Sequence, residues 1–399
     1  MVEELHSKTI QDHVLMQQAT PFSESLVAER TPIIQINASY DLSILRDIQR
    51  TEATGTITSI NSEYLLNIEG ADSKALLLSG SKGRYTPGTA AEVGIGVRTT
   101  EKPPGDVVYY VGYLSVDENN DITDGACFGE DSEGVFVTLF RGGEQVYKVY
   151  QKNWNISSEL NLQQGNVLQI RFTYYGYGLV EWRVLESKTG DKNQQVKTLH
   201  TFRPEGEPVL NNSNLNVGAI VQSGTETSSY NVYISGRQFS IIGRAEFKQR
   251  AVAHLVEGAT VGTDDYVPIM TFRKKDGFSG VPISIQSHSI DTNNKIFLKW
   301  GVNTDISTSE AGGLVWETPS GSTNTETALE VNTNADSVDL TNAVLINQYQ
   351  VIGGSPQRRT VSQDINVADI PDEYNVSLIA VAQTQEATVD AIGTMFEER

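Results

Sequence analysis

The chain has 399 residues, of which 50 are acidic and 30 are basic, giving a formal net charge of -20 at pH 7. A hydrophobic content of 38% suits a globular protein with a buried core, and it excludes a largely disordered or membrane-embedded chain. Because a surface this acidic repels phosphate backbones, we expect no direct binding to nucleic acid.

The first 32 residues are polar, with scattered apolar residues and no clean period. This pattern predicts an extended N-terminal arm, and Pro21 and Pro32 exclude a long helix near its end. The segment is acidic and lacks the apolar run of a secretory signal. No other stretch is long and apolar enough to cross a bilayer, so we expect no membrane partner.

The segment 39–50 supports two interpretations. Ser39 could cap a helix in which Tyr40, Ile44 and Ile48 recur at helical spacing. A strand followed by an irregular loop fits the same residues equally well.

Short β signals dominate the chain from Thr51 onward. Runs rich in β-branched and aromatic residues are separated by Gly, Asn, Asp or Pro. In one of them Ile170, Phe172 and Tyr174 share a face, and Arg171 and Thr173 point to the other face. Since no strand–helix alternation occurs, residues 33–244 are predicted to form an antiparallel, jelly-roll-like sandwich.

A boundary follows the first β series. Residues 245–258 have helical or linker character and are interpreted as a linker. A second β series begins beyond it, which predicts a second sandwich over residues 259–399. The predicted fold is therefore all-β, with two antiparallel β-sandwich domains preceded by the N-terminal arm.

Catalytic signatures are missing from the sequence. There is no H-E-x-x-H or G-x-S-x-G motif, and the five histidines have no metal-ligand spacing. We therefore expect no enzymatic activity and no cofactor. A polysaccharide-cleaving enzyme is an alternative, but a fold class alone does not support it.

Asp117, Asn119 and Asp121 alternate as calcium ligands do in a binding loop. An EF-hand is excluded, because Ile122 and Phe128 stand where that loop requires Gly and Glu. A looser surface calcium site and a plain Asp/Asn-rich hairpin loop are the two interpretations.

The aromatic run "TYYGYGLVEW" contains Tyr174, Tyr175 and Tyr177. Aromatic rings on a surface can stack on sugars, so these tyrosines are candidate glycan-binding residues. The alternative is that they belong to a sandwich core, where alternating aromatic residues commonly lie.

The segment 128–140, "FGEDSEGVFVTLF", reads as a hairpin whose acidic turn points to water. It is followed by "NWN" at 153–155, by "NVLQIRFTYYGYGLVEW" at 166–182 and by "LHTF" around His200. In this order the motifs resemble a family of two-domain β-sandwich structural proteins of tailed bacterial and archaeal viruses. Tyr174 and Tyr175 depart from it, because the family tends to have Trp and Leu there.

The resemblance implies a non-enzymatic, surface-exposed virion protein of the head-decoration, turret or tail-fibre type. It implies a homo-oligomer that is synthesised in the host cytoplasm and attached to capsid or tail proteins, with the N-terminal arm suited to that attachment. The alternative is a receptor- or glycan-binding tail fibre or adhesin whose partner is a host surface glycan.

Overall fold

A computed structural model describes residues 30–156, 159–173, 176–187, 194–243, 249–278, 281–320, 326–352, 359–361, 370–371 and 373–398. These residues form 26 strands and one short 3-10 turn at Gln151–Asn153, with no α-helix among them. The all-β prediction is therefore confirmed, and no described helix could span a membrane.

The chain divides into two compact units. The first takes the described residues up to 243 apart from 44–46, and the second takes 44–46 and the described residues from 249 onward. Every pair of named strands runs antiparallel.

The described residues of the first unit form fifteen strands in two sheets. The strands are β1 Arg30–Ile36, β2 Asp47–Glu52, β3 Thr56–Ile60, β4 Glu63–Ile68, β5 Lys74–Ser79, β6 Ala90–Thr99, β7 Val108–Val116, β8 Ile122–Asp131, β9 Gly134–Arg141, β10 Glu144–Tyr150, β11 Asn166–Phe172, β12 Val180–Ser187, β13 Gln194–Phe202, β14 Asn216–Gln222 and β15 Tyr230–Ile242. The larger sheet has the order β13-β12-β11-β6-β15-β4-β3, with β1 also paired to β15. The second sheet has the order β10-β9-β8-β7-β14-β5-β2.

The two sheets pack face to face through their aromatic side chains. Tyr113 of the seven-stranded sheet stacks on Phe172 and Phe239 of the larger sheet, with ring centroids 5.4 and 5.3 Å apart. Trp182 is fully buried and donates its indole N–H to the backbone oxygen of Cys127 across the sandwich, at 3.0 Å. The period-2 pattern of these strands therefore builds one apolar layer between the sheets.

A buried ion pair joins the sheets inside this layer. Asp47 of β2 accepts a hydrogen bond from the guanidinium of Arg237 of β15, and both side chains are 0% exposed. The Arg237 guanidinium also lies 5.3 Å from the centre of the Tyr64 ring. Because each charge has lost its water, each depends on the other for its stability.

The seven-stranded sheet is apolar on its other face as well. Seven residues form a separate buried cluster there, and they are Leu76, Leu78, Leu114, Ile122, Cys127, Phe140 and Ile220. Cys127 is completely buried, and this burial raises its pKa. Cys127 therefore packs as a small apolar side chain of this cluster.

The second unit has eleven strands in the described residues. They are β16 Gln249–Val261, β17 Val267–Lys274, β18 Ile283–Thr292, β19 Ile296–Val302, β20 Asp305–Ser307, β21 Leu329–Asn332, β22 Ser337–Asp339, β23 Val344–Val351, β24 Arg359–Val361, β25 Val376–Ala382 and β26 Ala387–Glu398. One sheet has the order β16-β26-β18-β24 and another β21-β17-β25-β19-β23, and β20 pairs with β22.

A polar group is enclosed in the core of the second unit. His288 of β18 is buried and accepts the indole N–H of Trp300 of β19 on Nδ1, at 3.1 Å. This bond leaves Nε2 to donate its proton to the hydroxyl of Tyr349. Burial lowers the pKa of His288 to about 4, so the ring is neutral in the folded protein.

Three sequence-based expectations need correction in the described residues. Residues 30–32, predicted to belong to the arm, lie in β1, and the rest of the arm is outside the described residues. The segment 39–50 forms no helix, and its strand follows the loop, because Asp47 closes the loop by accepting the Ser43 N–H. The segment 245–258, predicted to be a linker, lies in β16 from Gln249 onward and pairs with β26.

We expect Arg237→Leu to lower the free energy of unfolding of the first unit by about 3–5 kcal/mol, because it leaves Asp47 buried without its counter-charge. Native-state hydrogen exchange of the β6 amides measures this free energy. Lys197→Met is the control, since the Lys197–Glu186 pair is about one-third exposed and should contribute less than about 1 kcal/mol. An equal effect of both substitutions would contradict the role given to the buried pair.

We expect the second unit to lose stability as the pH falls from 6.5 towards 4. In this range the unfolded chain binds a proton on His288 and the folded unit does not. The free energy of unfolding therefore falls by about 3 kcal/mol in total. Thermal unfolding at a series of pH values measures the loss. His288→Gln keeps one donor and one acceptor without a titrating ring, and it should flatten the pH dependence; an unchanged slope would contradict this assignment.

Candidate functional site

The turn between β8 and β9 is held by the side chain of Asp131. Its Oδ1 accepts the backbone N–H groups of Glu133 and Gly134, at 2.8 and 3.2 Å. Gly134 has a φ of +136°, a backbone conformation that a residue with a side chain rarely adopts. The hairpin predicted at this position is present, and its sharp turn is fixed by these two hydrogen bonds.

The second oxygen of Asp131 is bound by the neighbouring strand β10. Lys148 Nζ lies 2.7 Å from Oδ2, and the Tyr150 hydroxyl donates to the same oxygen at 2.9 Å. The expectation that the acidic residues of this turn point to water is therefore wrong for Asp131. Two of the four hydrogen bonds to this carboxylate therefore connect the hairpin to β10, and the other two close the turn.

The pKa values of the two adjacent carboxyl groups of the hairpin, Glu130 and Asp131, are shifted in opposite directions. Burial would raise the pKa of Asp131, but the hydrogen bonds from Lys148 and Tyr150 outweigh it and lower this pKa. Glu130 points into the sandwich, where burial raises its pKa and the Tyr109 hydroxyl donates to it at 3.0 Å. The side-chain alternation of β8 thus places one carboxyl group inside and one at the surface.

The chain leaves β10 through a short turn that is joined to β13. Trp154 is 7% exposed and donates its indole N–H to the Val149 oxygen at 3.1 Å. Asn155 donates its backbone N–H to Nδ1 of His200, whose Nε2 lies 2.7 Å from the Tyr147 hydroxyl. Burial lowers the pKa of His200, so the neutral ring joins the turn to two strands.

A groove of about 770 Å3 lies between this turn and the hairpin. We call it the hairpin groove, and its lining residues are Glu133, Gly134, Val135, Tyr150, Gln151, Lys152, Trp154, Glu159 and Lys197. Its volume falls within the range of about 300–1,000 Å3 that is common for small-molecule sites. It combines two carboxylates, two ammonium groups and two aromatic side chains.

The hairpin groove can hydrogen-bond and stack. Among the described residues that line it there is no Ser, Cys or His. Across the part of the chain that the structure describes, no three His, Cys, Asp or Glu residues are grouped to hold a metal ion. The groove therefore presents charged and aromatic groups to a polar ligand.

In the loop with the candidate calcium ligands, the carboxylates of Asp117 and Asp121 already contact other groups of the protein. Asp117 accepts the backbone N–H groups of Asn119 and Asp121 on Oδ1, both at 2.9 Å. Lys74 Nζ lies 3.1 Å from the Asp121 carboxylate, where a cation would otherwise bind. The hairpin-loop interpretation explains this arrangement, and calcium binding stays a prediction.

The candidate glycan-binding tyrosines are not brought together with the hairpin groove. Tyr174 and Tyr175 lie outside the described residues. Tyr177 is 60% exposed and does not line the groove. The sequence reasoning missed Tyr150 and Lys152, although the alternation in "VYKVYQK" placed Tyr150 on the same face as Lys148.

Comparisons with known proteins give only distant similarities. Neither a protein-family model nor a curated protein sequence matches the chain. The chain is 12% identical to peanut lectin crystallised with a 9mer peptide, with a TM-score of 0.35, over 55% of this chain and 100% of the lectin. The CBM2 module of the evolved Dit protein of Lactobacillus casei BL23 phage J-1 is 8% identical, with a TM-score of 0.35, over 55% of this chain and 99% of the module.

A legume lectin-like domain from Entamoeba histolytica is 12% identical, with a TM-score of 0.31, over 49% of this chain and 89% of that domain. Identities and TM-scores this low support no conclusion about ligand or function.

Proposed function

We propose that the protein is a non-enzymatic glycan-binding protein and that the first unit holds the glycan in the hairpin groove. The observation that supports this proposal most strongly is the composition of the groove. Charged side chains of both signs stand around the half-buried ring of Tyr150 and the edge of Trp154.

Sugars match this composition because one face of a pyranose ring carries C–H groups and its edge carries hydroxyls. The C–H face packs on an aromatic ring. Each hydroxyl can donate to a carboxylate and accept from an ammonium group, and such charge-assisted hydrogen bonds are stronger than neutral ones. Glu133 and Glu159 supply the acceptors, and Lys152 and Lys197 supply the donors.

The groove is also preorganised for binding. Asp131 fixes the hairpin on one side, and the contacts of Trp154 and Asn155 fix the turn on the other. A ligand therefore meets walls that are already ordered, which lowers the entropic cost of binding.

The test begins with a glycan array probed with the full-length protein. For a glycan that binds, we expect Lys152→Ala and Glu133→Gln each to weaken the affinity about tenfold, the equivalent of about 1.4 kcal/mol, because each removes a charge-assisted hydrogen bond. Isothermal titration calorimetry measures the affinities. Lys102→Ala is the matched control, since Lys102 is an exposed lysine of the same unit that does not line the groove.

If the protein binds no glycan on the array, the proposal is contradicted. Equal affinity of the wild type and both groove variants would also contradict it, because the glycan would then bind elsewhere.

We also propose that the protein is displayed on a virus particle as a homo-oligomer, attached to capsid or tail proteins through residues 1–32. The support is that its sequence motifs resemble those of the tailed-virus structural proteins. Two of these motifs, which are far apart in the sequence, are in contact in the first unit. Asn155 of the "NWN" motif contacts His200 of the "LHTF" motif, and its side chain exchanges hydrogen bonds with the backbone of Thr201 at 3.0 and 2.8 Å.

Particles assembled with the full-length protein or with a chain lacking residues 1–29 test this second proposal. We expect the truncated chain to keep its melting temperature, because the two described units remain whole, and to be missing from purified particles by mass spectrometry. Normal incorporation of the truncated chain would refute the arm as the attachment. Absence of the full-length chain from particles would refute the virion role itself.

A further inference from the structure

A second depression lies on the outer face of the larger sheet of the first unit. We call it the outer trough; its volume is about 400 Å3. Its lining residues are Gln35, Ile36, Asn37, Gly94, Ile95, Gly96, Val167, Gln169, Ser235, Gly236, Arg237 and Gln238. Gly94 pairs with both Gln169 and Gln238, so these three residues share the face that points away from the sandwich interior.

A β-bulge and two glycines create the outer trough. The pairing of β15 with β6 shifts between Ile234 and Arg237, which leaves Ser235 and Gly236 out of the ladder. A Cβ atom on Gly96 would come within 1.8 Å of the Ser235 hydroxyl, and one on Gly94 within 2.8 Å of the Gln238 amide. The hydroxyl and the amide therefore lie directly over β6 and form the floor.

Apart from Arg237, which is paired with Asp47, the polar side chains that line the outer trough are neutral. Gln35 and Asn37 stand at the end of β1 on one side, and Gln169 stands on β11 on the other. The carboxylate of Glu92, which accepts a hydrogen bond from the Gln238 amide at 3.4 Å, is paired with Arg30 at 2.6 Å. The trough therefore offers amide and hydroxyl groups on both sides and no uncompensated charge.

One of these amides has an unused acceptor. The Oε1 atom of Gln169 is buried and makes no hydrogen bond to any described residue. Buried polar atoms in folded proteins are nearly always paired, so this atom of a lining residue is a candidate to accept a hydrogen bond from a ligand. A ligand O–H group in the outer trough would supply the donor.

We propose that the outer trough binds a neutral hexopyranose unit, independently of the ligand of the hairpin groove. The hydroxyls of a pyranose surround the ring and can each donate and accept, which matches neutral amides on both sides of the trough. The exposed apolar side chain of Val167 can cover a C–H face of the ring. A nucleobase fits less well, because its hydrogen-bonding groups occupy only part of its edge.

Saturation-transfer NMR of the full-length protein tests this site with the methyl glycosides of glucose, galactose, mannose and N-acetylglucosamine. We expect at least one glycoside to bind. Val167→Trp should weaken its binding more than tenfold, because Val167 is 43% exposed and a larger side chain there fills the trough without disturbing the core. Gln169→Leu should weaken it about fivefold, because it removes the unpaired acceptor.

Val196→Trp is the matched control, since Val196 is 39% exposed on β13 of the same sheet and does not line the trough. It should leave the binding unchanged. The proposal is overturned if no glycoside binds, if binding survives Val167→Trp, or if adenosine binds in place of the glycosides. Because these substitutions lie outside the hairpin groove, failure here leaves the array experiment on the groove unaffected.

Discussion

The first unit depends on one constraint, the enclosure of Asp47 and Arg237 between its two sheets. Both side chains are fully buried, so neither charge can be solvated if the other moves away. The pair fixes β15 relative to β2 and requires the Arg237 side chain to point inward. Because strand side chains alternate, Gln238 must then point outward, and the preceding bulge places Ser235 over β6. We infer that the inner ion pair determines the shape of the outer trough.

One wall of the hairpin groove is held in place by a second charged residue, Asp131, whose carboxylate accepts four hydrogen bonds. Asp131 accepts two backbone N–H groups of its own turn and two side-chain donors from β10. The hairpin and β10 thus form one rigid wall, while Glu133 at the tip of the turn stays exposed. The charges of Asp47 and Arg237 are enclosed between the sheets and bind each other. The charge of Glu133 lies at the edge of the sandwich, where a ligand can reach it.

Much of the fold could be predicted from the sequence, because its signals are local. The alternation in β11 placed Ile170 and Phe172 in the core and Arg171 on the other face, and the structure confirms this. β2 was missed because its sequence, "DIQRTE", is polar. Its buried Asp47 is paired with Arg237, 190 residues further on, and no local pattern reports such a contact.

β16 was missed for a different reason. Its segment "RAVAHLVEG" is rich in residues that favour helices, yet Val252 and His254 alternate on a buried face against β26. The hairpin groove was also beyond local reasoning, since its walls come from the β8–β9 turn, the end of β10 and β13. The sequence showed the acidic turn, but the lysine and tyrosine that bind Asp131 lie 17 and 19 residues away.

We propose that the first unit holds a glycan between its acidic hairpin and the turn after β10. A crystal structure of the full-length protein with a glycan selected on the array would locate the bound sugar. We expect a sugar ring against Tyr150, with hydroxyls within hydrogen-bonding distance of Glu133 and Lys152. A glycan bound only in the second unit, with an empty hairpin groove, would contradict the claim.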